Sequence, residues 1–144
     1  MAFEEEKNIF DTFVINQGLK QSDQRRDVLI TFLKTERHLT ADELFRLVKK
    51  KNPSIGVATV YRALKLICDS GLGRELKLEN DAVLYEHNYN HDHHDHLICT
   101  QCGMFIEVVD SEIEKLQEKL AKKQGFIIQR HKLLIYGLCR DCKS

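Results

Sequence analysis

Two cysteine pairs, Cys99-Thr-Gln-Cys102 and Cys139-Arg-Asp-Cys142, constrain this chain more than any other feature. A gap of two residues lets both thiolates of a pair turn onto one ion, and two such pairs complete the tetrahedral sulfur shell that Zn²⁺ prefers. The spacing predicts a structural zinc site. The 36 residues from 103 to 138 separate the pairs, more than a minimal zinc ribbon needs, so the ion would pin a helix and strands together. A dithiol redox pair or two disulfides are the competing readings. A redox motif needs only one pair, and nothing in the sequence points to an oxidising compartment.

At 42% hydrophobic and 31% charged over 144 residues, the chain reads as a folded protein rather than a disordered one. Its start, Met1-Ala2-Phe3-Glu4-Glu5-Glu6, is acidic where a secretion signal would be basic, and no apolar run is long enough to cross a bilayer. The expectation is a cytoplasmic protein with no membrane partner, where thiols stay reduced and a zinc tetrathiolate is favoured over bridges. Cys68, inside the apolar run Leu64-Lys65-Leu66-Ile67, reads as a buried small hydrophobe.

The character of the sequence changes near residue 90. Before it the pattern is helical: Phe10, Phe13 and Val14 recur at helical spacing, and Ser22 opens a segment with Val28, Leu29, Phe32 and Leu33 on one side. Thr40-Ala41-Asp42-Glu43 is a capping box with Leu44, Leu47 and Val48 behind it, and Pro53 ends that helix. A further helix turns Val57, Val60, Leu64 and Ile67 inward and stops at Gly71. The runs Leu72 to Leu78 and Ala82 to Glu86 flank Glu79-Asn80-Asp81 as a β-hairpin. Helices followed by a hairpin describe a winged helix-turn-helix over residues 1–86. After a hinge at 87–92, residues 93–144 read as a smaller α/β domain: extended from His93 to Cys99 and from Phe105 to Val109, helical from Ser111 to Gln124, and a strand from Phe126 to Leu138. The fold class is α+β. A segment this short buries little surface, so zinc and a partner subunit would supply what its core lacks.

His93-His94-Asp95-His96 precedes the first cysteine pair. On an extended backbone His94 and His96 share one face while His93 and Asp95 share the other, so one strand can feed two separate metal sites.

Together these strings resemble the ferric uptake regulator family of metal-responsive bacterial repressors over nearly the whole chain. They are Gly18-Leu19-Lys20 with Gln24-Arg25, Ala58-Thr59-Val60-Tyr61-Arg62, Gly71-Leu72, His93 to Cys99, and the closing Cys139/Cys142 pair. The resemblance implies a homodimer, with further association on DNA left open, that binds a double-stranded operator. It implies a regulatory metal held by His38, Glu86, His94, His96 and Glu107, and an additional site made of His93, Asp95, Glu114 and His131. The segment from His87 to Asp92 is slightly longer than in the members it resembles. Bland readings stand beside these: His38 as an exposed residue before a helix, Glu114 as the end of a Ser111-Glu112-Ile113-Glu114 capping box, His131 on an exposed strand face. Glu107, on an otherwise apolar strand, reads as a carboxylate facing inward that needs a partner.

The formal net charge is zero, yet from Gly18 to Lys65 eleven Lys and Arg residues stand against five Asp and Glu, an excess suited to phosphate contacts. In the helix Ala58 to Arg62, Tyr61 and Arg62 would face the major groove, and Lys20 could reach the adjacent minor groove. A nitrogen and carboxylate shell suits Fe²⁺, with Mn²⁺ and Zn²⁺ as ions that also bind such groups. Peroxide-sensing members of the family tend to carry aspartates where Glu86 and Glu107 stand, so the glutamates favour an iron-responsive repressor of iron-uptake genes. Zinc- and peroxide-responsive regulators are the alternatives. A metallohydrolase is the rival from another class, but no separate general base stands at motif spacing and the Ala58 to Arg62 helix would go unexplained.

Overall fold

The computed structural model describes residues 2–89 and 95–143. His91, His93 and His94 lie outside the described residues. Contacts divide the chain into two units, Met1–His91 and Asp92–Ser144.

The first unit holds four helices and a hairpin. Helix α1 (Glu4–Asn16) buries Phe10 and Val14. Helix α2 (Asp23–Lys34) is capped by Ser22, whose hydroxyl accepts from Arg25 N, and buries Val28, Leu29, Phe32 and Leu33 along one stripe. Helix α3 (Ala41–Lys51) begins with the reciprocal Thr40–Glu43 capping box, buries Leu44 and Val48, and stops one residue short of Pro53. Helix α4 (Val57–Asp69) buries Val60, Ala63, Leu64 and Ile67 against α2 and α3. Gly71, at φ +89°, lets the chain leave α4: its N–H reaches Cys68 O at 3.1 Å and Leu72 N–H reaches Ile67 O at 3.2 Å. Val57 departs from the expected pattern. It is 48% exposed, on the flank of the helix that it shares with Tyr61, four residues on and 51% exposed.

Strands β1 (Gly73–Lys77) and β2 (Val83–His87) pair antiparallel around a turn in which Asp81 takes the left-handed conformation at φ 67°. This hairpin is the wing, and β1 packs on α4. At Gly73 the packing is close: a Cβ there would lie 3.1 Å from Ile67 and 3.2 Å from the Phe32 ring, and those side chains would have to give by a few tenths of an ångström. His87 closes β2 against the core: its Nε2–H donates to Phe32 O at 2.6 Å, and its ring sits 4.9 Å from that of Phe32. Cys68 is half-buried, with its thiol pushed up to about 12 chiefly by burial, as an inert packing residue would be.

The second unit is a three-stranded sheet in the order β4-β3-β5 with one helix. Strands β3 (Asp95–Cys99) and β4 (Phe105–Val108) run antiparallel; helix α5 (Ser111–Lys123) then carries the chain back so that β5 (Leu134–Gly137) pairs parallel to β3. A parallel pair requires such a crossover. Gly125, at φ +78°, terminates α5. The expected strand from Phe126 to Leu138 is only Leu134–Gly137; in the stretch before it, Phe126 and Ile127 are 71% and 92% exposed, and only the later residues reach β3. Among the described residues of this unit the buried apolar side chains are Ile98 and Cys99, whereas α5 buries none.

Candidate metal centres and nucleic-acid interface

The four paired cysteines converge. Cys99 ends β3, Cys102 follows in the turn before β4, and Cys139 and Cys142 lie just after β5; parallel pairing of β3 with β5 puts Cys99 opposite Gly137. One sulfur from each lies within 4.8 Å of every other. Cys102 and Cys139 sulfurs are 3.7 Å apart, close to the edge of about 3.8 Å that a tetrahedron with Zn–S bonds near 2.3 Å requires. That separation is far beyond a disulfide bond. Cys99 Sγ accepts from the backbone N–H of Cys102 at 3.5 Å and of Cys139 at 3.4 Å. These two donors hold its thiol down to about 6, while the Cys139 side chain and then burial push Cys142 up to about 12. The donor set and its spacing fit Zn²⁺.

A second group gathers Asp95 on β3, Glu114 on α5 and His131 before β5. His131 Nε2 is 3.6 Å from Asp95 Oδ1 and 3.4 Å from Glu114 Oε1, and Asp95 is 1% exposed. Glu114 does not close a capping box with Ser111. Asp110 is the N-cap of α5, its carboxylate accepting from Glu112 N and Ile113 N, so Glu114 sits in the first turn with its side chain turned to His131. His93, expected beside these three, lies outside the described residues.

Of the other five expected ligands, all but His94 are placed within their own unit by strand register. In the first unit an antiparallel bridge joins Leu39 to Tyr85, with N–H···O distances of 2.9 and 2.7 Å in the two directions. The register of that bridge sets His38 opposite Glu86, 48 positions away in sequence. Glu86 is 4% exposed and His38 half-buried. In the second unit His96 pairs with Glu107 across β3 and β4. His96 is 3% exposed, its ring 4.8 Å from Phe105. Glu107 is exposed, not inward as its apolar neighbours suggested; β4 lies at the edge of the sheet. Imidazole and carboxylate are a donor set that suits Fe²⁺, Mn²⁺ or Zn²⁺.

The exposed face of α4 carries Tyr61, 51% exposed, with Arg62 and Val57 beside it, and Lys20 is exposed in the loop between α1 and α2. The basic excess of this region is partly spent locally: Arg26 pairs with Asp11 and Asp23, Arg37 with Glu43, Arg46 with Asp42, and Lys65 with Asp69. Lys49 lies 5.3 Å over the Phe45 ring.

The ferric uptake regulator family model matches residues 16–136. The chain belongs to the ferric uptake regulator family. It is 40% identical over 130 residues to the ferric uptake regulation protein of Bordetella parapertussis, covering 90% of this chain and 93% of that one. Its structure is similar to that of the Helicobacter pylori ferric uptake regulator, reported to have three functional metal binding sites, with a TM-score of 0.90 at 27% identity, covering 100% of this chain and 95% of that one. It is also similar to the iron-containing Francisella tularensis regulator, with a TM-score of 0.79 at 36% identity, covering 88% and 96% respectively.

Regulators of the ferric uptake family bind DNA and are dimeric. The winged unit and the small α/β unit are the DNA-binding and dimerisation halves of that fold. The second unit accordingly exposes Leu116, Leu120, Phe126, Ile135 and Leu138, apolar area that a lone subunit would leave in water. No helix among the described residues is long and apolar enough to cross a membrane. Sequence reasoning did not single out Arg74, which meets Glu86 across the hairpin. The signal was the hairpin turn, which fixes the register of every pair behind it.

Proposed function

We propose that this protein is an Fe²⁺-responsive repressor that engages operator DNA upstream of iron-uptake genes when loaded with metal. In this reading Cys99, Cys102, Cys139 and Cys142 hold a structural Zn²⁺ that keeps the dimerisation half folded in the cytoplasm. His38, Glu86, His94, His96 and Glu107 hold the regulatory ion, and His93, Asp95, Glu114 and His131 a further one. The hinge falls within residues 87–92, after His87, which β2 holds to the core. Bound metal supplies the crosslink between ligands of the two halves, and it thereby selects one orientation of the reading heads in the dimer. Spacing between the two α4 helices then matches two half-sites, each read by Tyr61 and Arg62 in the major groove with Lys20 in the adjacent minor groove.

The observation that carries this reading is the Leu39–Tyr85 bridge, which sets an imidazole opposite a buried carboxylate within the DNA-reading half itself. The glutamates at 86 and 107 support an iron response over a peroxide response. Mn²⁺ and Zn²⁺ are the competing ions, since intrinsic affinity alone does not exclude them.

Fluorescence anisotropy of a labelled operator under anaerobic conditions, with Fe²⁺, Mn²⁺ or Zn²⁺ titrated separately, tests the proposal. Fe²⁺ should tighten binding by a factor on the order of 5 to 150, an ordinary range for coupled sites. His38→Ala should abolish that stimulation while leaving one zinc per subunit. Metal-insensitive operator binding, or stimulation that survives His38→Ala, rejects the assignment.

A further inference from the structure

Arg74 stands on β1 directly opposite Glu86 on β2. Its Nε donates to Glu86 Oε1 at 3.0 Å, and its Nη2 donates to the same oxygen. Both donors of the guanidinium therefore fall on one carboxylate oxygen, whereas the usual fork takes one oxygen with each arm. Glu86 is 4% exposed, and the Arg74 side chain 28%.

A carboxylate so far from water needs a counter-charge to stay ionised, and arginine supplies one that does not deprotonate. As a stability device alone such a pair is poor, since two well-packed apolar residues of similar volume serve as well or better. One other cross-strand pair of this hairpin shows that option in use, Leu76 opposite Leu84. A charged pair at 74 and 86 therefore calls for a reason beyond holding the wing together.

Resting on the regulatory site proposed above, we infer that Arg74 is the resident counter-ion of Glu86 in the metal-free protein and competes with the regulatory cation for that carboxylate. Two cations then share one buried anion. The guanidinium draws charge from Oε1 and faces the incoming ion as a like charge through a medium that screens it weakly. By linkage, whatever favours the Arg74–Glu86 pair disfavours the ion by the same factor. Arg74 thus sets the metal affinity below what the ligands alone would reach, which lets a sensor release its ion when supply falls instead of holding it permanently.

The test uses the full-length, zinc-retaining protein and Mn²⁺ as an air-stable probe, with affinity read by competition against a chelator. Arg74→Gln keeps a hydrogen-bond donor and removes the charge; it should tighten Mn²⁺ binding roughly tenfold, the effect of an ordinary coupling of about 1.4 kcal/mol. Arg74→Lys keeps the charge and should stay within about threefold of the parent. Glu86→Gln should weaken binding. If Glu86→Gln leaves affinity unaltered, the site reading itself fails. If Glu86→Gln weakens binding but Arg74→Gln leaves it unchanged or weaker, the competitor role of Arg74 fails and the arginine merely positions the ligand. Should Arg74→Gln not fold, the parent protein still decides: the Arg74 Nε–H resonance should shift when a diamagnetic Zn²⁺ ion fills the regulatory site, and a signal that stays in place overturns the inference.

Discussion

Replacing Cys99 by serine should unfold the dimerisation half while leaving the DNA-reading half intact. The asymmetry follows from where the core lies: the first unit buries Phe10, Phe32, Leu29, Leu44, Leu64 and Ile67, while the described residues of the second bury only Ile98 and Cys99 as apolar side chains. Fully burying one aliphatic side chain contributes about 1.5 to 3 kcal/mol. A structural zinc contributes on the order of 10 kcal/mol or more near neutral pH. In the second unit the metal therefore outweighs the side-chain core several-fold, and in the first it plays no part. Cys99 is the critical ligand because it ends β3 and its sulfur accepts N–H groups from both cysteine loops. Hydrogen exchange read by mass spectrometry on the Cys99→Ser protein should show β3, β4 and α5 exchanging near the unfolded rate while α2 and α4 remain protected, and elemental analysis should find the structural zinc gone. Retained protection of Asp95 to Cys99 in a zinc-free variant would refute the reasoning.

Further expectations follow from particular contacts. Thr40→Ala removes the reciprocal cap of α3 and should lower the stability of the first unit by about 1 kcal/mol, read as a shifted thermal midpoint. Because that cap also fixes the segment leading from His38, metal-stimulated DNA binding should weaken with it. Arg62→Ala should leave folding unchanged, since the side chain is exposed, but weaken operator binding; if Arg62 meets a phosphate the salt slope falls by about one unit. An unaltered affinity for Arg62→Ala would remove α4 from the interface. At pH 7.5 the thiols of an unfolded zinc-free half are nearly all protonated, so zinc uptake should release close to four protons, measurable by calorimetry in buffers of differing ionisation enthalpy. In the folded half the N–H groups of Cys102 and Cys139 hold the Cys99 thiol down to about 6; what this thiolate contributes is present above its ordinary value near 9 and is lost as pH falls through about 6. Release of markedly fewer protons would mean that the cysteine loops are already folded without the ion.

Local signals in the sequence were read correctly where short-range physics governs. Ser22 and Thr40 cap their helices, and Gly71 and Gly125 end theirs, because a cap needs only a side-chain oxygen or a positive φ within a few residues. The cysteine spacing likewise carried its geometry in the chain, two residues per loop. Reading failed where a neighbour had to be known. Val57 matched the apolar stripe of α4 by period, yet it sits on the stripe's flank beside exposed Tyr61, while Val60 in the same turn is buried. Glu114 matched a capping box by spacing, yet Asp110 stood one place ahead and took the backbone donors, leaving the carboxylate to His131. Phe126 to Leu133 looked extended by composition, but a strand exists only where a ladder partner runs beside it, and β3 offers an edge from Leu134 onward.

The candidate ligand types, their order and the family were therefore legible in the amino-acid string alone, since these depend on residue identity and spacing. Which residues come opposite one another was decided by pairings between distant segments: the Leu39–Tyr85 bridge whose register puts His38 opposite Glu86, the register that lays Arg74 on Glu86, and the crossover through α5 that returns Cys139 and Cys142 to Cys99. The reason is physical. Hydrogen-bonded register between strands is set by packing over the whole unit, and a shift of one residue would turn each of these side chains to the opposite face.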